Sequence, residues 1–163
     1  MGTRVLAAAL LLALAACSGE EDPGLPGLQP DPDVTTDAEC AERIPDTVFT
    51  TLGWTATSTP AEATVRGCHR EAEQGYVEVR ERTGDYGKLC STLNRSGEVG
   101  PGLPPDWLTG VIACAVEPDR DVGQTKVLVK GNGDQITQVT IAVLTSTAQA
   151  KVRAAVRELV GQP

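Results

Sequence analysis

The chain has 163 residues, of which 40% are hydrophobic, 22% charged and 3% aromatic, and its net charge is −8. That apolar content is too high for a wholly disordered chain, and the length suits one domain with additions. The negative balance argues against a nucleic-acid binder, which needs clustered Lys and Arg to neutralise phosphates.

Arg4 gives a short positive start, and Val5 to Ala16 is an unbroken apolar run of 12 residues. A spanning helix needs about 17–25 such residues, so this run has the length of a signal-peptide core. It ends Leu14-Ala15-Ala16-Cys17, and the chain then turns polar at Ser18-Gly19-Glu20-Glu21-Asp22. These residues resemble the lipobox of bacterial lipoproteins. The resemblance implies cleavage between Ala16 and Cys17 and acylation of Cys17 by fatty chains such as palmitate. One acyl chain gives only reversible binding, at about 0.8 kcal/mol per buried CH₂, whereas two or three make attachment lasting. The expected address is the extracytoplasmic face of the cell membrane, with the membrane a partner through Cys17 alone. The competing reading is an ordinary secretory signal cut after Ala16.

Residues 18–39 hold Pro23, Pro26, Pro30 and Pro32, seven acidic residues and no Lys or Arg. Such a stretch cannot bury a core and reads as a disordered or extended tether, about 70 Å long at full stretch. Residues 40–163 carry 15 acidic against 13 basic residues, so most of the acidity belongs to the tether. The expected organisation is a signal peptide over 1–16, a lipidated Cys and tether over 17–39, and one globular domain over 40–163.

Within that domain, Cys40, Ile44, Val48 and Leu52 recur at helical spacing. Pro45 divides them into two short helices, and Gly53 stops the second. Ala63 to Glu71 reads as a strand with Gly67 as a bulge, and Gly75 to Thr83 alternates as a second strand, with a turn near Ala72 to Gly75. Tyr86, Leu89, Cys90 and Leu93 suggest a short helix, and Asn94 to Asp106 a loop. Trp107 to Val116 is apolar and strand-like. Gln124 to Lys130 and Gln135 to Leu144 read as a hairpin about Gly131-Asn132-Gly133-Asp134. Ser146 and Gln149 form a capping-box pattern before a helix with Val152, Val156, Leu159 and Val160 on one face and Gly161 as its stop. The predicted fold is α+β: an antiparallel sheet of about five strands with the C-terminal helix on one face.

Beyond Cys17, the cysteines are Cys40, Cys68, Cys90 and Cys114. An even number in an exported chain reads as two disulfides. A zinc site is the rival, but there is no C-x-x-C pair and His69 is the sole His. Each half places a Cys on a helix and another on a following strand. That echo favours Cys40–Cys68 and Cys90–Cys114 among the three connectivities. The lipobox, the acidic Pro-rich leash, the Cys40 helix ending Leu52-Gly53 and the segment Val65-Arg66-Gly67-Cys68 together resemble small cell-envelope lipoproteins of actinobacteria. Many of these belong to domain-of-unknown-function families, so the resemblance implies a location and carries no catalytic residue.

Chemistry is sparse. His69 is the natural candidate for a general base, but no G-x-S-x-G, H-E-x-x-H or S-x-x-K motif accompanies it. The run Glu117-Pro118-Asp119-Arg120-Asp121 lacks the glycine and distal Glu of an EF-hand loop. Asn94-Arg95-Ser96 fits a glycosylation acceptor, a weak signal in a bacterial lipoprotein. Trp54 and Trp107 are candidate binding anchors, Trp107 being weighed against a core position at a strand start. No catalytic residue, metal ligand or cofactor is assigned. The expected function is a non-catalytic binding or adaptor domain contacting an envelope protein, wall polymer or small ligand. The alternatives are an accessory lipoprotein without a pocket, or an envelope hydrolase that would need Ser or Asp beside His69.

Overall fold

A computed structural model of the chain describes residues 36–57, 62–64, 67–93 and 104–162. The signal peptide, Cys17, most of the expected tether and most of the 94–106 loop lie outside the described residues. The helices are α1 (Asp37–Arg43), α2 (Asp46–Leu52), α3 (Tyr86–Leu93) and α4 (Gln149–Leu159). The strands are β1 (Glu62–Thr64), β2 (Gly67–Ala72), β3 (Gly75–Thr83), β4 (Ala113–Val116), β5 (Gly123–Lys130) and β6 (Gln135–Val143). They form one antiparallel sheet in the order β1-β2-β3-β6-β5-β4. The fold is α+β, as the sequence predicts.

Period-two side chains divide the sheet into two faces. Cys68, Val79, Val139, Val127 and Ala115 stand in one register row across five strands. With Val77 and Ile141 they meet Ile44, Phe49, Leu52, Val152 and Val156 in the main core, so α1, α2 and α4 cover this first face. The second face carries Cys114, Leu128 and Ile136, which pack with Cys90, Tyr86 and Leu89 of α3. Each face has its own staple. Cys40 of α1 is bonded to Cys68 of β2, with Cα atoms 5.1 Å apart. Cys90 of α3 is bonded to Cys114 of β4, with Cα atoms 6.1 Å apart. Loops of this length are worth about 3.5 kcal/mol each in the chain-entropy model.

Several boundaries differ from expectation. The sheet has six strands because Ala63–Glu71 is two strands: Thr64 faces Gly67 across a two-residue connection. Gly67 is not a bulge, since β2 pairs residue for residue with β3. Its missing side chain matters for close approach, because a Cβ there would lie 2.5 Å from the Val79 carbonyl oxygen. The expected tether is too long at its C-terminal end. Thr36 caps α1, with its hydroxyl accepting from the Glu39 N–H while the Glu39 carboxylate accepts from the Thr36 N–H. Asp37 in turn accepts from the Ala63 N–H at 2.8 Å. Thus the last two tether acids are parts of the fold.

Trp107–Ile112 is not strand. Leu108 N–H closes a turn onto the Pro105 carbonyl, and strand pairing with β5 begins at Ala113, just after the Ile112 carbonyl accepts from the Lys130 N–H. The Ser146–Gln149 capping box does not form. Ala148 is the N-cap of α4, and the Gln149 side-chain amide donates to the Pro118 carbonyl at 3.3 Å. Gln149 is therefore the first helical residue rather than the third, one turn too early to reach back.

Gly75 is the tightest joint, since a Cβ there would lie 1.9 Å from the Ala142 carbonyl oxygen and 2.8 Å from the Trp54 ring, at φ +154°. Gly75→Ala is expected to cost about 3 kcal/mol or more in guanidinium unfolding. Gly133→Ala, at φ +63° with open space around it, should cost only about 1–2 kcal/mol. Equal losses would contradict the joint. The Thr36 hydrogen bonds hold the Glu39 carboxyl below its ordinary 4.5. Capping by Glu39 is therefore present above pH 4.5 and lost as pH falls through the lower folded value. An NMR titration of the Glu39 carboxyl carbon should show a midpoint below 4.5, and a midpoint at or above it would contradict the capping box.

Candidate functional site

The two tryptophans are not free platforms. Trp54 follows the Gly53 stop of α2, which turns the chain so that the indole enters the core, 6% exposed. It packs edge-on against Phe49, with ring centres 6.1 Å apart. Its N–H donates to the Thr147 hydroxyl at 2.9 Å, and that hydroxyl donates to the Thr145 carbonyl. The one polar atom of a buried ring has thus found its partner. The reading of Trp54 as a binding anchor is corrected: it is a core pillar.

Trp107 is half-buried against the main core. Its N–H donates to Glu117 Oε2 at 3.2 Å. Arg153 of α4 donates to both Glu117 oxygens, at 2.8 and 2.9 Å, and lies 5.7 Å from the Trp107 ring centre. This group ties α4 to the end of β4 and engages the indole N–H, with Trp107 packed against the core as the alternative to a binding anchor has it. His69 sits on the second face, 5.1 Å from the Tyr76 ring centre and 3.3 Å from Glu71 Oε1. Its contacts among the described residues include no Ser hydroxyl or Asp carboxylate. Among the described residues no three His, Cys, Asp or Glu side chains come together as a metal site.

A different place emerges on the first face. The helices there are short, and α1 and α2 break apart at Ile44-Pro45. Arg70 of β2 bolts that break to the sheet: it donates to the Ile44 carbonyl at 3.1 Å, pairs with Asp46 at 2.6 Å and lies 4.8 Å from the Phe49 ring centre. α4 stops at Leu159. Between the two helix ends, the row Glu81–Thr137–Val129 is left without a helix over it. The result is a groove of 490 Å³. Its apolar lining is Pro45, Val79, Val129, Leu159 and Val160.

The groove has a charged rim of Glu42, Arg43, Glu81 and Glu158. Arg43 pairs with Glu81 at 3.1 Å, and the Thr137 hydroxyl donates to the same carboxylate. The Glu158 carboxylate is positioned by two hydroxyls of α2, those of Thr47 and Thr51. Three carboxylates thus face one guanidinium. The C-terminal ends of α1 and α4 also border the groove, and helix C-termini carry partial negative charge. An apolar floor under a negative rim can hold a cation that carries apolar surface.

None of these rim residues stands out in the sequence. They span positions 42–158 and each reads as ordinary surface charge. The available signals were the two helix ends, marked by Pro45 and Gly161. The strand register that puts Glu81 beside Thr137 had no such mark. Comparison with protein-family models, curated proteins and solved structures finds no match to this chain.

The chain has two tryptophans, so its indole N–H resonances can be read separately. Glu117→Gln is expected to move one of them, leave the other in place, and cost about 1–2 kcal/mol of stability. Thr147→Val should move the other one. A Glu117→Gln spectrum with both indole signals unmoved would contradict the Trp107–Glu117–Arg153 arrangement.

Proposed function

We propose that the chain is a lipid-anchored lipoprotein of the extracytoplasmic membrane face, whose domain serves as a non-catalytic binding or adaptor module of the cell envelope. The observation that carries the reading is the cysteine account. Four of the five cysteines close two disulfides within the domain, and the one left over is Cys17. An unpaired Cys in an exported chain needs its own explanation. Here it follows Leu14-Ala15-Ala16 directly, and thioether formation with a diacylglycerol group supplies that explanation. Disulfides also suit a compartment more oxidising than a cytosol. Among the described residues no helix is long and apolar enough to cross a membrane, so in this reading attachment rests on acyl chains.

The binding half of the proposal draws on the groove. It is an open, partly apolar concavity with a few fixed polar groups, a common form for recognition sites. No nucleic acid enters the proposal, and no cofactor is required by it. The likeness to actinobacterial envelope lipoproteins belongs to the same reading.

The test compares the native chain with Cys17→Ser. The native chain should partition with membranes and enter the detergent phase, whereas Cys17→Ser should lose the acyl mass and leave the detergent phase. Equal partitioning of the two forms, or a native chain without acyl mass, would overturn the proposal.

A further inference from the structure

The groove beside the ends of α1 and α4 has a sign, and that sign selects a ligand. We propose that it docks a segment of a partner protein presenting a Lys or Arg side chain between apolar neighbours. The inference deepens the binding-module reading above and rests on it.

Three observations converge. The lining supplies apolar contact from Pro45, Val79, Val129, Leu159 and Val160, in a volume of 490 Å³ that suits a few side chains of an extended segment. The rim sets Glu42, Glu81 and Glu158 against Arg43 alone. The C-terminus of the 11-residue α4 borders the same opening and favours a cation there, whereas that of α1 already has Arg70 on its Ile44 carbonyl. The Glu158 carboxylate accepts one hydroxyl on each oxygen, from Thr47 and Thr51, so it is fixed in place yet keeps lone pairs for a further donor. A long basic side chain fits such a place well, since its methylene stem covers apolar surface while its head stays at the polar edge. The chain's own N-terminal stretch is the wrong occupant, because residues 18–35 carry five acidic residues and no basic one. Like charge at the rim would repel it.

The pairing also predicts opposite effects from two neighbouring substitutions. Glu42→Gln removes a negative charge from the rim and should weaken a cationic ligand about two- to fivefold. Arg43→Gln removes the one positive charge and should tighten it by a similar factor. Damage to the fold would weaken both variants alike, so the contrast in sign isolates electrostatics. Both effects should shrink as salt is raised.

The experiment titrates the full-length ¹⁵N-labelled chain in non-ionic detergent with the peptide acetyl-Val-Lys-Val-amide. Acetyl-Val-norleucine-Val-amide and acetyl-Val-Glu-Val-amide are the controls. Saturable shifts are expected at the Thr137, Val160 and Gly161 amides with the Lys peptide, weaker ones with norleucine and none with Glu. Equal response to the three peptides, shifts confined to the α3 face, or no shift at millimolar peptide would overturn the proposal. So would concentration-dependent broadening of those amides without peptide, which would assign the groove to a second copy of the chain. The mass at Cys17 is read on the same sample. An acylated chain that ignores the Lys peptide removes the groove and leaves the anchor. A chain without acyl mass that binds the peptide removes the anchor and leaves the groove.

Discussion

The fold depends on two covalent ties that act on opposite sides of one sheet. The Cys40–Cys68 bond holds α1 to the first face, and the Cys90–Cys114 bond holds α3 to the second. Neither helix could be expected to stay in place by itself. They have 7 and 8 residues, well below the roughly 12–15 at which even favourable isolated helices become marginal in water. Their packing partners are mostly Val, Leu, Ile and Ala, in a chain with 3% aromatic residues. A core of that kind gains less area per residue than an aromatic one, and the crosslinks offset part of the shortfall by restricting the unfolded chain.

The groove is a consequence of the same economy of helix. α1 ends before Pro45 and α4 stops at Leu159, and residues of both ends line the opening. The exposed strip of sheet is then kept in register by the long β3–β6 ladder, and the broken α1–α2 corner is fixed by Arg70. Residues of α1, α4, β3, β5 and β6 therefore border the opening. The charged rim is held by the same contacts: Arg43 reaches across to β3, and Glu158 is gripped by two α2 hydroxyls. These are exposed or half-exposed interactions whose worth to stability is small. Their value lies in orientation.

Much of the fold was legible in the sequence where a local signal and a tertiary demand agree. The β5–β6 hairpin follows from Asn132-Gly133, the α1–α2 division from Pro45, and both disulfides from the helix–strand echo of the cysteines. Errors fell where a local pattern had a rival use. Gln149 had the spacing for a capping box but was taken by the Pro118 carbonyl. The apolar run from Trp107 had strand composition, yet Trp107 was claimed by Glu117 and Arg153, residues that pack beside it only in the folded chain. The tether looked uniformly acidic, while Asp37 and Glu39 belong to hydrogen bonds with β1 and Thr36. The tryptophans show the limit most plainly. The sequence offers Trp54 and Trp107 as candidate anchors, but Thr147 and Glu117 lie 93 and 10 positions away, and only folding brings these partners within reach. The groove was invisible for the same reason.

The central claim is that four cysteines brace the domain and the fifth is spared for a lipid. Peptide mapping of the chain isolated from its native source, digested without reduction, tests this most directly. The account predicts two linked pairs, Cys40 with Cys68 and Cys90 with Cys114, together with an N-terminal peptide that begins at Cys17 and carries acyl mass. Free thiols at those four positions, a crossed pairing, or an unmodified Cys17 would contradict it.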